Sequence, residues 1–409
     1  MPVRYTPPTP DQLLPVPGVT LGTVAARIKK WQRDDLLLAV FEPGTTAAGV
    51  FTQNRFCAAP VIVCRHHLEG DAHIRAIVVN AGNANAGTGD AGIVAAQATC
   101  AAVASMLGCA PGEVLPFSTG VIMEPLPVHK IVAALPAARA ALSADHWFQA
   151  VSAIMTTDTV PKGASRRIAI DGVAATVTGI AKGSGMIHPD MATMLSFMAT
   201  DAPITQRLLA KATREIAAAS FNCATVDGDT STNDSFVIAA TGKAAMPPIS
   251  DEGDPRFATI CEAMLAVATE LAQAIVRDGE GATKFITISV EDGRDSDECR
   301  RVALAIAHSP LVKTAFFASD PNLGRIVCAI GNAGLADLDP SRVCFALDDV
   351  MVVDSGGRAE SYTEEDGQRV MRNDEITVRV RLGRGDASAT VWTCDFSHDY
   401  VSINADYRS

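Results

Sequence analysis

Residues 182–199 read KGSGMIHPDMATMLSFMA, and the fold turns on how Thr193 in that stretch is read. A polar, Gly-containing run leads up to it, small Ala192 precedes it, and an apolar run, Met194 to Ala199, follows at once. That is the pattern of a Thr hydroxyl displayed at the mouth of a buried strand. Most threonines before an apolar strand are β-branched strand starters, so the neighbouring sequence has to decide. If the Ala192–Thr193 bond breaks, Thr193 gains a free α-amine beside its own hydroxyl. One residue then holds both nucleophile and base.

Upstream, the first twenty residues are Pro-rich and read as extended. Leu36 to Val40 and Ala47 to Phe51 are short apolar runs split by Glu42-Pro43-Gly44, a strand–turn–strand signal. Pro60 to Cys64 and Ala76 to Val79 read as further buried strands. Asp90 is a candidate N-cap for a helix carrying Ile93, Ala96, Cys100, Val103, Ala104 and Leu107 at helical spacing, with Gly108 at the C′ position. Ile131 to Leu142 is a second, Ala-rich helix. Arg167 to Gly179 contains a hairpin around Asp171-Gly172.

Downstream of Thr193, Gln206 to Ala219 and Arg256 to Val276 show helical periodicity, and the second ends at Asp278-Gly279-Glu280-Gly281. Strands are expected at Phe285 to Val290, Val343 to Ala346, Ile376 to Val380 and Ala389 to Trp392. Strands are grouped between helices rather than alternating with them. That favours a layered α+β fold over a doubly wound parallel sheet.

The chain has 409 residues and a formal net charge of −12, which disfavours phosphate-backbone binding and hence nucleic acid as a partner. Ten scattered cysteines without a CxxC read as buried thiols in a reducing compartment. The N-terminus lacks an apolar signal-peptide region, and no segment has about 18 uninterrupted apolar residues. The reading is a soluble, cytoplasmic protein away from membranes.

Several patterns carry less than they suggest. Gly87 to Gly92 matches GxGxxG, but Asn80 to Ala86 separate it from the preceding strand, so a Gly/Asn-rich turn capping a helix fits better than a dinucleotide site. Cys57, Cys64, His66 and His67 fit no standard zinc spacing, and no metal is expected. Arg384-Gly385-Asp386 reads as chance, and His188 as a loop residue. GxSxG is absent, so a nucleophile elbow has no candidate.

Thr193 has company of the right chemistry. Lys182-Gly183-Ser184-Gly185 brings a cation and flexible backbone. In Phe117-Ser118-Thr119-Gly120-Val121-Ile122, a Gly N–H can approach a developing oxyanion, with a Thr donor beside it. Thr156-Thr157-Asp158-Thr159 is a polar island ahead of Lys162. Glu280 sits between a helix and a strand, and the chain ends Ile403-Asn404-Ala405-Asp406-Tyr407-Arg408-Ser409.

These segments resemble the ornithine acetyltransferase family of arginine biosynthesis, whose members transfer acetyl from N-acetylornithine to glutamate. The motifs KGSGMIHPDMATMLSF, FSTGVI, TTDT, DGEGATKF, TNDSF, SDPNLGRI and YVSINADYRS span essentially the whole chain. The resemblance implies an α/β/β/α sandwich like that of N-terminal-nucleophile hydrolases and related aminopeptidases, with a smaller C-terminal α/β subdomain at roughly 285–409. It implies self-cleavage between Ala192 and Thr193 into chains 1–192 and 193–409, and a heterotetramer with two copies of each.

By the same resemblance Thr193 is the nucleophile, and Thr119 and Gly120 form the oxyanion hole. Thr156, Lys182, Thr193, Glu280, Asn404 and Ser409 contact substrate: N-acetylornithine, glutamate and ornithine. No cofactor is implied, and whether acetyl-CoA is a second donor stays open. Met123, Asp190 and Ser409 depart from the commoner Gly, Asn and Thr. Ser409 keeps the hydroxyl, while the other two bear on pocket shape or cleavage rate. Two alternatives stand: an aminopeptidase or amidase on the same scaffold, and a non-enzymatic small-molecule-binding protein.

Overall fold

A computed structural model describes residues 2–70, 73–188 and 194–405. The chain divides into two compact units. The larger holds residues 7–222 and 229–275, and the smaller holds 1–6, 223–228 and 276–409.

The larger unit begins with β1 (Val19–Val24), β2 (Leu36–Phe41), β3 (Thr46–Phe51), α1 (Ala59–His67), β4 (Ala76–Asn83) and α2 (Gly89–Leu107). There follow β5 (Val114–Val121), α3 (Val128–Ala140), α4 (Trp147–Ile154), β6 (Lys162–Ile170) and β7 (Val173–Lys182). Last come β8 (Leu195–Thr200), α5 (Gln206–Ala219), β9 (Ser235–Ala240) and α6 (Pro255–Arg277). One sheet runs β1-β2-β4-β5 and the other β3-β9-β8-β7-β6.

Period-two alternation assigns the faces. Leu36 and Leu38 of β2 pack with Ala96, Cys100 and Val103 of α2 and Ile131 and Leu135 of α3. Leu37 and Ala39 point the other way, into a core shared by Phe117 of β5, Ile180 of β7, Leu195 and Phe197 of β8, and Val237 of β9. That core lies between the two sheets. The far face of the second sheet is covered by α5 and by α6, whose Val267 and Leu271 lie against Gly179 of β7. The expected α/β/β/α layering is therefore present. The helices α2 and α6 are long and apolar enough to cross a membrane by composition, but here they cover sheets.

Local details follow from single residues. Asp171 and Gly172 take φ of 51° and 80° between β6 and β7, as the two-residue I′ hairpin turn requires. Gly108 caps α2 in the left-handed region, its N–H donating to Ala104 O at 2.8 Å. Asp90 is not that helix's N-cap: Thr88 is, and Asp90 sits in the first turn. Nor is Pro60 to Cys64 a strand. It lies in α1, with Pro60 in the first helical turn, where a missing N–H costs nothing.

The smaller unit contains β10 (Phe285–Gly293), α7 (Ser296–Ala307), α8 (Pro310–Phe317), α9 (Gly324–Gly331), β11 (Cys344–Leu347) and β12 (Val350–Asp354). It continues with β13 (Gly357–Arg358), α10 (Glu364–Met371), β14 (Glu375–Arg381), β15 (Ala387–Cys394) and α11 (His398–Ala405). Its sheet runs β13-β12-β11-β14-β10-β15, and Ile286, Ile288, Val302, Ile306, Phe316, Phe345 and Val378 share its core. The segment 223–228 joins this unit through the Thr225 N–H, which donates to Trp392 O at 2.9 Å. Arg384 of the Arg-Gly-Asp triplet pairs with Glu298 at 2.6 Å and with Asp337 at 2.8 Å.

Candidate functional site

The start of β8 is fixed by both neighbours. Leu195 is in register with Lys182 of β7 on one side and Ser235 of β9 on the other, and the Ser235 N–H donates to Met194 O at 3.0 Å. Ala192 and Thr193, with Asp190, lie outside the described residues. What can be described is the polar surrounding at the chain position just before Met194.

Lys182 ends β7 and is buried, and its Nζ donates to Thr156 Oγ1 at 3.3 Å. Thr156 follows α4, and its N–H donates to Asp158 Oδ2 at 3.0 Å. Asp158 also accepts from the Gly183 N–H at 2.7 Å and pairs with Lys162 Nζ at 2.7 Å. Burial alone would raise the Asp158 pKa. The Lys162 and Lys182 ammoniums and the Gly183 N–H outweigh it and hold the carboxylate below its usual range. Thr157 and Ser184 share a hydroxyl–hydroxyl bond of 2.8 Å, which ties the two loops together.

Thr119 and Gly120 lie near the end of β5, which runs to Val121. Thr119 is buried, and the pair is in register with Ala81 and Gly82 of β4 just before a bulge at Asn83. Gly120 has φ +130°, and a Cβ there would lie 2.3 Å from the Gly82 carbonyl carbon. Only glycine fits both constraints. The carbonyl of Ser118, one residue earlier, accepts from Asn233 Nδ2 at 2.9 Å, and the same amide donates to Ala84 O at 2.7 Å. Ser118 Oγ donates to Asn80 Oδ1 at 2.7 Å.

Asn233 is followed by Asp234, which is almost wholly buried. Burial pushes its carboxyl well above the usual range, against the Ser231 hydroxyl, the Lys182 ammonium and the Met194 N–H. Among the described residues its oxygens close no hydrogen bond of ordinary geometry. Asn233 and Asp234 lie in the TNDSF segment, and Asp158 in TTDT. Sequence reasoning assigned none of the three a role, and named Asp158 only within the polar island 156–159. The usable signal was a polar triplet directly before an apolar strand, and a carboxylate four residues before Lys162.

In the smaller unit, Glu280 is buried, and its Oε2 accepts from Asn404 Nδ2 of α11 at 2.8 Å. Gly281, at φ +71°, lets the chain pass where a Cβ would lie 2.6 Å from Ser397 Oγ and from the Tyr400 nitrogen. Ser397 Oγ donates to Gly281 O at 2.6 Å, and Asp395 accepts from the Thr283 and Lys284 N–H groups at 2.8 Å each. Glu280 and Asn404 are thus held together by their own unit. Ser409 lies outside the described residues.

The remaining sequence patterns have local explanations. Gly87 and Gly89 take positive φ. β4 reaches Asn83, so only Ala84 to Ala86 precede Gly87. Asn85 Nδ2 donates to Gly92 O at 2.9 Å, and the Thr88 hydroxyl to Asn85 Oδ1 at 3.0 Å. Side chains of the turn itself fill the space at the start of α2. Cys64 Sγ contacts Pro116 O, His67 Nδ1 is 2.8 Å from Val114 O, and His66 faces Glu69. Met123 is exposed with φ +67°, a conformation that explains why glycine suits the position. His188 is a half-buried loop residue.

The model of the ArgJ family matches residues 20–409. The chain is 58% identical over its whole length to the full-length arginine biosynthesis bifunctional protein ArgJ of Neisseria meningitidis serogroup A. Among solved structures it is 36% identical to arginine biosynthesis bifunctional protein ArgJ of Bacillus halodurans, covering 50% of this chain and 95% of that one with a TM-score of 0.48. It is 35% identical to ornithine acetyltransferase of Mycobacterium tuberculosis complexed with ornithine, covering 45% of this chain and 96% of that one with a TM-score of 0.39.

Proposed function

The chain belongs to the ArgJ family, acetyltransferases of arginine biosynthesis, and from that premise we propose that it moves acetyl from N2-acetylornithine to L-glutamate through an ester on Thr193. The observation that supports this most is the convergence of Lys182–Thr156, Ser118–Gly120 and Asn233–Asp234 on the start of β8.

The Thr193 hydroxyl first attacks the Ala192 carbonyl. The peptide C–N bond breaks in an N→O acyl shift, and water opens the resulting ester. This leaves a carboxylate on Ala192 and a free amine on Thr193. That amine has a reference pKa of about 7.7–8.0, against about 10.4 for a lysine, so it is the better base near neutrality.

Thr193 Oγ then attacks the acetyl carbonyl of N-acetylornithine while Thr119 and Gly120 hold the oxyanion. Losing one such donor typically costs about 10²–10³ in rate. Ornithine leaves with the amine proton, and the glutamate amine takes the acetyl group. A covalent intermediate between two half-reactions gives ping-pong kinetics. Lys182 faces the substrate α-carboxylate and Glu280 its amine, with Thr156, Asn404 and Ser409 completing the contacts. The relatives' name, bifunctional, supports acetyl-CoA as a second donor. Two copies of each cleaved chain, working in the cytoplasm, complete the proposal.

Thr193→Ala is expected to leave an uncut chain without transferase activity, and Thr193→Ser to retain part of both activities. A Thr193→Ala protein that is cut and active contradicts the assignment. Assaying N-acetylglutamate against free acetate separates transfer from an amidase, in which water replaces glutamate.

A further inference from the structure

Asn404 rides on α11, a helix of eight residues that buries none of them. A helix that short does not hold itself together in water. Its place has to come from a few contacts, and these gather at its first turn. The Tyr400 ring stacks on Phe396 with centres 4.8 Å apart at 22°, and the His398 ring meets Phe317 of α8 edge-on at 5.6 Å. Tyr400 OH donates to Asp227 Oδ2 at 3.2 Å. One turn further on, Asn404 Nδ2 donates back to Tyr400 O at 2.9 Å as well as to Glu280 Oε2.

Phe396 in turn rests on Lys313 of α8, which is buried. Lys313 Nζ lies 4.6 Å from the centre of the Phe396 ring, donates to Thr393 Oγ1 at 2.8 Å and also donates to Cys394 O. The Lys313 carbonyl accepts the Phe396 N–H at 3.3 Å. Among the described residues no carboxylate forms an ion pair with this lysine. Burial pulls its ammonium below the ordinary lysine value, while Cys394, Asp395 and Asp227 pull the other way. A buried ammonium is costly unless its protons find acceptors. Here they meet a hydroxyl, a carbonyl and the face of a ring.

The turn between β15 and α11 is therefore gripped from two directions. Lys313 holds Thr393, Cys394 and Phe396 from α8. Asp395 and Ser397 hold Thr283, Lys284 and Gly281, the residues that follow Glu280. All of these groups belong to the smaller unit. Without the ammonium, Phe396 loses the support beneath it, and the first turn of α11 loses the ring it stacks on.

Resting on the acetyl-transfer reading above, we propose that Lys313 is a positioning residue for the acetyl donor: through Phe396 and Tyr400 it sets where α11 begins, and so where Asn404 holds the Glu280 carboxylate for the free amine of N-acetylornithine. That amine sits on the donor's side chain. The one amine of glutamate is the acetyl acceptor, and its side chain ends in a carboxylate. The role therefore belongs to the donor half-reaction.

The full-length protein is compared with Lys313→Met, which keeps the apolar stem and loses the ammonium. Tyr400→Phe, which keeps the ring and loses the bond to Asp227, carries the test if Lys313→Met does not fold. A melting curve reads folding, intact mass reads self-cleavage, and steady-state kinetics vary N-acetylornithine and then glutamate. With a covalent intermediate, kcat/KM for each substrate reports its own half-reaction. The expected result is a cleaved Lys313→Met protein whose kcat/KM for N-acetylornithine falls about tenfold or more, the worth of one charged hydrogen bond, with kcat/KM for glutamate unchanged. Tyr400→Phe shows the same pattern with a fall of about threefold or more. A folded variant with equal falls for both substrates, as a purely structural lysine would give, overturns the inference and leaves the transferase reading standing. So does one with no fall for N-acetylornithine, or one that stays uncut. An unaltered protein without transfer from N-acetylornithine overturns the transferase reading itself, and the inference with it.

Discussion

Asn233 holds two carbonyls with one amide, Ala84 O and Ser118 O, and so fixes β5, which carries Thr119–Gly120, against the lead-in to β9. Asn233→Ala leaves both buried acceptors without that donor, at about 1–3 kcal/mol each. We expect a lower melting temperature and a fall in kcat of about tenfold or more, since misplaced oxyanion donors act on the transition state. A variant that melts lower with unchanged kcat contradicts this positioning role.

The two buried carboxylates nearby give opposite pH signatures. The folded-state pKa of Asp158 is depressed, so its stabilisation is present above the unfolded value of about 3.9 and is lost as pH falls toward the folded one. Breaking its buried pair with Lys162 by Asp158→Asn is expected to cost about 3–5 kcal/mol near neutrality, and less on acidification. The Asp234 pKa is raised, so its favourable contribution is present below the unfolded value and is lost as pH rises through the folded one. Relative to the unaltered protein, Asp234→Asn is expected to gain stability as pH rises from about 4 to 7. Urea unfolding from about pH 4 to 7 reads the Asp234 slope and below about pH 4 the Asp158 slope, and slopes of the same sign contradict the assignment. Lys182, Thr119 and Gly120 were named from the sequence as groups of suitable chemistry, Lys182 beside a Gly-rich turn. Asp158, Asn233 and Asp234 were not. What a buried polar side chain does depends on which strands become its neighbours, and that information is non-local.

At the scale of elements, the two sheets of the larger unit meet through Phe117 of β5 and Phe197 of β8, whose rings are 4.9 Å apart at 70°. One lies two residues before Thr119 and the other four after Thr193. The ring pair therefore spaces β5, which carries Thr119 and Gly120, from β8, and it contributes about 0.5–1.5 kcal/mol beyond burial. Phe197→Ala is expected to cost about 3–5 kcal/mol and to slow transfer, with Phe197→Leu costing less. Chemical denaturation with steady-state kinetics measures both, and a stability loss without a rate effect contradicts the spacing role. Long periodic helices such as α5 and α6 and the Asp171-Gly172 hairpin were legible, because period and turn chemistry are local. The run Pro60 to Cys64 was misread because a short apolar run suits a strand or a helix equally. Pro60 in the first turn of α1 was the overlooked mark of a helix start.

At the scale of the whole molecule, strands from both sides of residue 193 share one sheet. β8 is flanked by β7 and β9, and β9 pairs with β3. Cutting before Thr193 leaves every one of those ladders intact. The two pieces are expected to elute together in native gel filtration and to separate only in denaturant. Pieces that part under native conditions contradict this. The layered α+β class was readable from the grouping of strands between helices. The composition of the smaller unit was not: residues 1–6 and 223–228 join 276–409, and neither short segment carries a periodic pattern that announces its partner.

The central claim is that Thr193 becomes a chain terminus in order to act. Intact mass of the purified protein in denaturant, with N-terminal sequencing of each species, tests it most directly. The account predicts two chains, residues 1–192 and 193–409, the second beginning Thr-Met-Leu-Ser-Phe. A single unbroken chain that transfers acetyl from N-acetylornithine to glutamate would contradict it.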